Sequence, residues 1–108
     1  MALVIVDAEN VRRSLWPNLS REELVTRARA WAELEQHELL VVFDGDPPER
    51  APDIAGAWHA DDEIAARAAA AEGPVWVVTS DRELRRRVVA DTERLIGGGT
   101  FSRDYLAP

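Results

Sequence analysis

Residues 3–10 read LVIVDAEN, a short apolar run that ends abruptly in an acid. Four consecutive apolar residues without polar alternation are typical of a strand that is covered on both faces, as in the middle of a parallel sheet. Asp7 then lies at the carboxyl end of that strand. Since the ligand crevice of an open α/β sheet lies just outside the carboxyl ends of its strands, Asp7 is a candidate functional residue. A turn or a helix cap explains this acid equally well at this point.

The composition predicts one globular domain. With 108 residues, of which 46% are apolar, the chain is expected to form a single packed domain over residues 1–108. It contains no cysteine, so a metal site would have to use oxygen or imidazole ligands. The sequence begins without a secretory signal and has no apolar run of membrane-spanning length. We therefore expect a cytoplasmic protein that does not contact a membrane.

The charge balance is acidic. The formal net charge is −7, and all 13 basic residues are arginine. Such a domain is a poor non-specific binder of nucleic acid, because that mode of binding depends on clustered basic side chains. An enzyme acting on nucleic acid can still be acidic if its excess carboxylates hold a divalent cation that faces the phosphate. Net charge alone therefore does not decide the class of protein.

Apolar runs, capping signals and breakers predict alternating strands and helices. Further strands are expected at residues 39–43, 54–59, 75–79 and 95–96. Helices are expected at residues 21–36 and 60–72, from residue 81 onward, and as a last turn at 100–106. Ser20 with Glu23, and Ser80 with Glu83, have the spacing of a capping box. A Gly-Asp-Pro-Pro cluster predicts that residues 45–53 are irregular.

The order of these elements, β-α-β-(β)-α-β-α-β-α, predicts an α/β fold. Strands that alternate with helices form a parallel sheet with right-handed crossovers and helices on both faces. The expected architecture is a three-layer α/β/α sandwich around a central, mostly parallel sheet of four or five strands. The alanine-rich helix is expected to turn Ile64, Ala65, Ala68 and Ala69 toward the sheet.

Acids recur where the predicted strands end. Asp7 and Asp44 end two strands, Asp81 follows a third, and Asp61 and Asp62 open the alanine-rich helix. Each of them alone is explained as a cap, a first-turn charge or a turn residue. Parallel strands, however, bring their carboxyl ends to one edge, where convergent carboxylates repel each other and raise their pKa values or recruit a cation. Oxygen ligands suit Mg²⁺ or Mn²⁺.

Four motifs then carry a family resemblance. VIVDAEN, VVFDG, ADDEI and VVTSDREL resemble, in order and spacing, the motifs of NYN domains, a branch of the PIN-like nuclease superfamily. They are similar to the YacP-like NYN proteins and to the 5′-nuclease domain of bacterial DNA polymerase I. The resemblance spans residues 3 to about 106. It implies a PIN-like sandwich and endonucleolytic cleavage of single-stranded RNA, with Mg²⁺ or Mn²⁺ as the cofactor.

The resemblance also implies roles for single residues. Asp7, Asp61 and Asp81 match the main metal-binding acids of the family, and Asp62 and Glu83 match additional acids. Asn10 completes the implied catalytic set, either by orienting Asp7 or by holding the following turn. The candidate substrate contacts are Arg12, Arg13, Asp44, Arg82 and Thr100. Where the polymerase-linked nucleases have a glutamate two residues before the acid pair, this chain has His59.

Other basic and aromatic residues leave alternatives open. The run Arg85–Arg87 is typical of a solvated helix face. Trp16 or Trp58 could stack on an unpaired base.

Competing classes are limited by what the sequence lacks. Without lysine it fits neither a phosphoacceptor receiver domain nor a haloacid-dehalogenase-type phosphatase, and it has no P-loop motif. The remaining alternatives are a toxin-like PIN ribonuclease controlled by an antitoxin, and a non-catalytic NYN module that binds RNA or a protein partner. A homodimer is compatible with each of these readings.

Overall fold

The computed structural model describes residues 1–106 and shows a five-stranded sheet. The strands are β1 (Leu3–Asp7), β2 (Glu38–Asp44), β3 (Ile54–Ala57), β4 (Val75–Val78) and β5 (Arg94–Ile96). They lie in the order β3-β2-β1-β4-β5, and every strand pair is parallel. The α/β fold predicted from the sequence is therefore confirmed. The last two residues of the predicted domain lie outside the described part of the chain.

Helices connect the strands. They are α1 (Ala8–Arg12), α2 (Arg21–Glu35), α3 (Ala60–Ala70), α4 (Arg82–Val88) and the short α5 (Gly98–Thr100), which continues as a π-helical turn over Phe101–Tyr105. The sequence pattern does not predict α1, because five residues hold too few apolar positions to show a helical period. None of the helices within residues 1–106 combines the length and the apolar character that spanning a bilayer requires.

The sheet separates two apolar layers, because successive side chains of a strand point to opposite faces. Val4 and Val6 pack with α1, α2 and the C-terminal turn, where Phe101 is fully buried. Ile5 and Val42 pack on the other face with α3 and α4. This burial on both faces is the reason that β1 and β2 read as uninterrupted apolar runs.

The loop before β3 is held by α2. This helix begins as predicted, with the Ser20 hydroxyl accepting the Glu23 N–H at 3.0 Å. On its outer side, the Arg29 guanidinium donates to both carboxylate oxygens of Asp53, at 2.7 and 2.8 Å, and to Glu49 at 3.0 Å. Residues 45–53 are irregular, as predicted, and these contacts hold the end of the loop against α2, next to the start of β3.

Three local predictions need correction. Asp81, not Ser80, caps α4, since its carboxylate accepts the Leu84 N–H at 3.0 Å. The Ser80 hydroxyl instead accepts the Gly98 N–H at 2.8 Å, which joins this loop to α5. Ala69 is exposed, because the buried face of α3 is formed by Ala60, Ile64 and Ala68. The predicted edge strand exists but ends at Ala57, since residues 58–59 already turn toward α3.

Candidate active site

An open cavity of about 830 Å³ lies at the carboxyl edge of the sheet. Five aspartates line it, and they come from four separate segments of the chain: Asp7, Asp44, Asp61, Asp62 and Asp81. Asp7 ends β1, the strand in the middle of the sheet, and Asp44 ends its neighbour β2. The crossovers of the parallel fold thus bring together acids that lie up to 74 residues apart in the sequence.

Asp7 is the buried acid of this cavity. Only 6% of its surface is exposed, and one carboxylate oxygen accepts a 2.8 Å hydrogen bond from the Thr79 hydroxyl. Among residues 1–106 no arginine or histidine forms an ion pair with it. The pKa of Asp7 is raised to about 6: burial is the largest cause, the Thr79 hydrogen bond opposes it, and the negative charges of Asp61, Asp44 and Asp81 add to it.

The other aspartates combine structural bonds with exposure to the cavity. Asp44 accepts the N–H of Ala60, the first residue of α3, at 3.2 Å, so it caps a helix that begins 16 residues later. Burial also raises the pKa of Asp61, and the nearby Asp81 and Asp44 add to this effect. For Asp44, bonding a helix N-terminus and lining the cavity are therefore not alternatives.

Asn10 organises the wall of the cavity. Its side-chain carbonyl accepts the backbone N–H of Ser80 at 2.9 Å. Gly98 lies directly against it, so closely that a Cβ on this glycine would stand 2.4 Å from the Asn10 Oδ1 atom. Asn10 thus joins α1, the loop before α4 and α5, whereas the group that hydrogen-bonds Asp7 is Thr79. The sequence signal for Thr79 was a polar residue at the end of an otherwise apolar predicted strand.

Two arginines, Arg13 and Arg87, line the cavity. Arg87 pairs with Asp62 at 2.9 Å across the interface of α3 and α4. Arg87 is exposed, as expected for a run of arginines, but only the packing of the two helices places it at the cavity. His59 lines the cavity as well, with an exposed side chain at the N-cap position of α3.

Four predicted site residues lie outside the lining of the cavity: Glu83, Arg12, Arg82 and Thr100. Glu83 is exposed on α4 and pairs with Arg86 at 2.8 Å. Arg12 donates hydrogen bonds to Glu9, at 2.9 Å, and to the carbonyl oxygen of Leu19, and the bond to Glu9 lowers the pKa of that carboxyl group. The structure therefore does not bring these four side chains together with the aspartates.

The side chains that line the cavity carry the type of ligand atom that a hard divalent cation binds. The potential ligands are carboxylate oxygens. Burial and, to a smaller extent, the neighbouring negative charges raise the pKa of Asp7, and a cation would relieve that repulsion. Within the described residues no three acidic or histidine side chains are already arranged as a metal-binding group. Mg²⁺ typically uses one or two carboxylates, several waters and a substrate phosphate rather than a complete protein cage. The residues present are compatible with that mode.

The fold and the cavity together define an α/β protein with an open parallel sheet and an acidic site at its carboxyl edge. No protein-family model matches the chain, and no curated protein matches its sequence. Among solved structures it is similar to Rae1 (YacP) from Bacillus subtilis, crystallised in a mutant form, with a TM-score of 0.79. The match has 20% identity and covers 97% of this chain and 75% of that chain. At this identity the likeness establishes the fold, and the chain therefore has a YacP-like fold.

Proposed function

We propose that this protein is a divalent-metal-dependent ribonuclease that cleaves single-stranded RNA internally at the acid-lined cavity. The observation that carries the proposal is the gathering of five aspartates in one cavity, of which Asp7 is buried. An ionised carboxylate that is buried without a basic partner destabilises a fold, so the burial of Asp7 does not stabilise the protein at neutral pH. Strongly shifted acids in a cleft are typical of functional sites.

The acids have separable roles in this proposal. Asp7, Asp61 and Asp81 would hold Mg²⁺ or Mn²⁺, with Asp62 and Asp44 adding negative charge at the rim. Thr79 fixes the rotamer of Asp7, and its hydroxyl also accepts the Asp81 N–H at 3.1 Å, so both acids are positioned by one side chain. When bound, the cation would polarise the scissile phosphate and provide an activated water at neutral pH.

The open shape of the cavity and the two arginines of its lining support a nucleic-acid strand that passes through it, with a bound cation offsetting the negative charge of the aspartates. The cavity is open to solvent, which suits internal cleavage better than removal of single end nucleotides. Arg13 and Arg87 are the arginines of its lining, and a guanidinium binds phosphate oxygens in a bidentate manner. With a net charge of −7, binding rests on these few contacts rather than on a broad basic surface. The choice of RNA follows the resemblance of the motifs to YacP-like NYN proteins.

The test is incubation of the purified protein with single-stranded RNA and Mn²⁺ or Mg²⁺. We expect cleavage, with loss of cleavage in Asp7→Asn and Asp81→Asn. Both changes keep the fold, because asparagine can accept the Thr79 hydroxyl and is itself a good N-cap. The exposed acid Asp91 lies outside the cavity, so Asp91→Asn is the matched control and retains full activity.

Two other outcomes separate the alternative classes. RNA binding without cleavage by the wild-type protein would identify a non-catalytic module. Growth arrest on expression, relieved by a co-encoded protein, would identify a toxin-like ribonuclease, and normal growth would count against that class.

A further inference from the structure

Trp58 stands between the acid-lined cavity and a second, smaller one. This second cavity has a volume of about 270 Å³, and Gly45, Asp46, Gly56 and Ala57 form the rest of its lining. Trp58 lines both cavities and is 91% exposed. The smaller cavity is below the volumes usual for drug-sized ligands, which suits a single ring system.

The backbone that presents Trp58 is held on both sides. The carbonyl of Ala57 accepts the Gly45 N–H at 2.7 Å, and the Ala60 N–H donates to the Asp44 carboxylate at 3.2 Å. Gly45 has a φ of +80°, a conformation that favours glycine, and it brings the turn onto Gly56. The main chain at Trp58 is therefore fixed, and the indole adds only two side-chain torsions to be ordered on binding.

A second tryptophan is as exposed as Trp58, so exposure alone does not identify a residue that binds a base. Trp16 is 89% exposed, in the loop after α1, but it lines neither cavity. A single exposed apolar residue is ordinary in a soluble protein. Trp58 differs from Trp16 in its position beside the aspartates and in the free volume on its other side.

We propose that Trp58 is the stacking platform for the unpaired base next to the phosphate that is cleaved. The base lies against the indole and over the smaller cavity, while its backbone enters the acid-lined cavity. This inference rests on the proposed ribonuclease function and specifies its substrate, because a base that is paired and stacked in a duplex cannot reach the indole face. The protein therefore requires an unpaired nucleotide at this position.

The experiment combines protein variants with abasic substrates. A fluorescently labelled single-stranded RNA of mixed sequence is cleaved by wild type, Trp58→Ala, Trp58→Phe and the control Trp16→Ala. A single abasic nucleotide is then moved along the RNA around the cleaved bond. Dissociation constants are measured in parallel by fluorescence anisotropy with the inactive Asp81→Asn background, so that binding is read without cleavage.

We expect Trp58→Ala to raise KM and the dissociation constant by about 5- to 150-fold, the factor that corresponds to stacking of one base. Trp58→Phe recovers most of the loss, and Trp16→Ala behaves as wild type. At one position beside the cleaved bond, the abasic nucleotide raises the dissociation constant of the wild-type protein by a similar factor. It does not raise that of Trp58→Ala any further. Such non-additivity shows that the base and the indole act as one contact.

Two results would overturn the stacking role while leaving the ribonuclease proposal intact. The first is a Trp58→Ala variant whose KM and dissociation constant equal those of the wild type. The second is that, at every position of the abasic nucleotide, its loss of affinity multiplies with the loss caused by Trp58→Ala. If the wild-type protein binds RNA but does not cleave it, the enzyme proposal fails and the same comparison on binding still judges Trp58. Absence of both cleavage and binding overturns both proposals.

Discussion

The hydroxyl of Thr79 donates a 2.8 Å hydrogen bond to the buried carboxylate of Asp7, although the two residues are 72 positions apart in the chain. The bond joins the ends of β1 and β4, two adjacent parallel strands. The same Thr79 oxygen accepts the N–H of Asp81 at 3.1 Å. One buried hydroxyl thus sets the relative positions of two of the acids on which the proposed chemistry depends.

Asp7→Asn is expected to stabilise the protein at neutral pH. Because the pKa of Asp7 rises from 3.8 to about 6 on folding, its contribution to stability is fully present below pH 3.8 and is lost as the pH rises through 6. Two pKa units correspond to roughly 3 kcal/mol, which is the expected gain of Asp7→Asn near pH 7.5, against little gain near pH 4. Urea denaturation of both proteins at the two pH values measures it. An equal difference at both would show that ionisation of Asp7 is not the cause.

A divalent cation is expected to stabilise the wild-type protein at neutral pH through the acids of the cavity. At a concentration 100 times its dissociation constant, Mn²⁺ would add about 2.7 kcal/mol to the free energy of unfolding. The effect should fade as the pH falls below about 6, since Asp7 then takes up a proton. Thermal unfolding with and without Mn²⁺ is the measurement. A rise in Tm of the same size in Asp7→Asn would place the cation elsewhere.

Arg87→Ala is expected to weaken RNA binding and to reduce its salt dependence by roughly one phosphate contact. Arg87 lines the cavity and is held there by Asp62, whereas its neighbour Arg86 pairs with Glu83 outside the cavity. Arg86→Ala is therefore the matched control, with the same change in net charge. Dissociation constants across a salt series distinguish the two. Equal effects of both substitutions would mean that general charge, not the cavity, governs binding.

Gly98→Ala is expected to destabilise the wall of the cavity. The new methyl group would stand 2.4 Å from the Asn10 side chain, whose bond to Ser80 would have to break or shift. Overpacking of this kind costs about 1–3 kcal/mol. At the adjacent Gly99, the nearest atom to a new methyl group is 3.9 Å away, so Gly99→Ala should leave the urea midpoint nearly unchanged. Equal midpoints for the two variants would show that the Asn10 contact is not restrictive.

The sequence by itself determined the architecture of this protein. Uninterrupted apolar runs such as that of β1 occur where both faces of a strand are buried, and alternation with helices requires parallel strands. The convergence of Asp7 and Asp44 at one edge follows from strand direction alone. Local sequence signals predicted the structure correctly where the interaction joins residues that are close in the chain, as in the capping of α2 by Ser20. They did not resolve the capping of α4, where Ser80 is drawn to Gly98 on a distant segment.

Only the tertiary structure decided which polar side chains meet. Asp62 and Arg87 line the cavity while Glu83 and Arg82 do not, although all four lie at the exposed starts or faces of α3 and α4. Trp58 borders the cavity and the equally exposed Trp16 does not. The direction of a polar side chain depends on the rotation of its helix and on neighbours far along the chain. Apolar periodicity fixes the buried side of an element, and packing between elements selects what its exposed side touches.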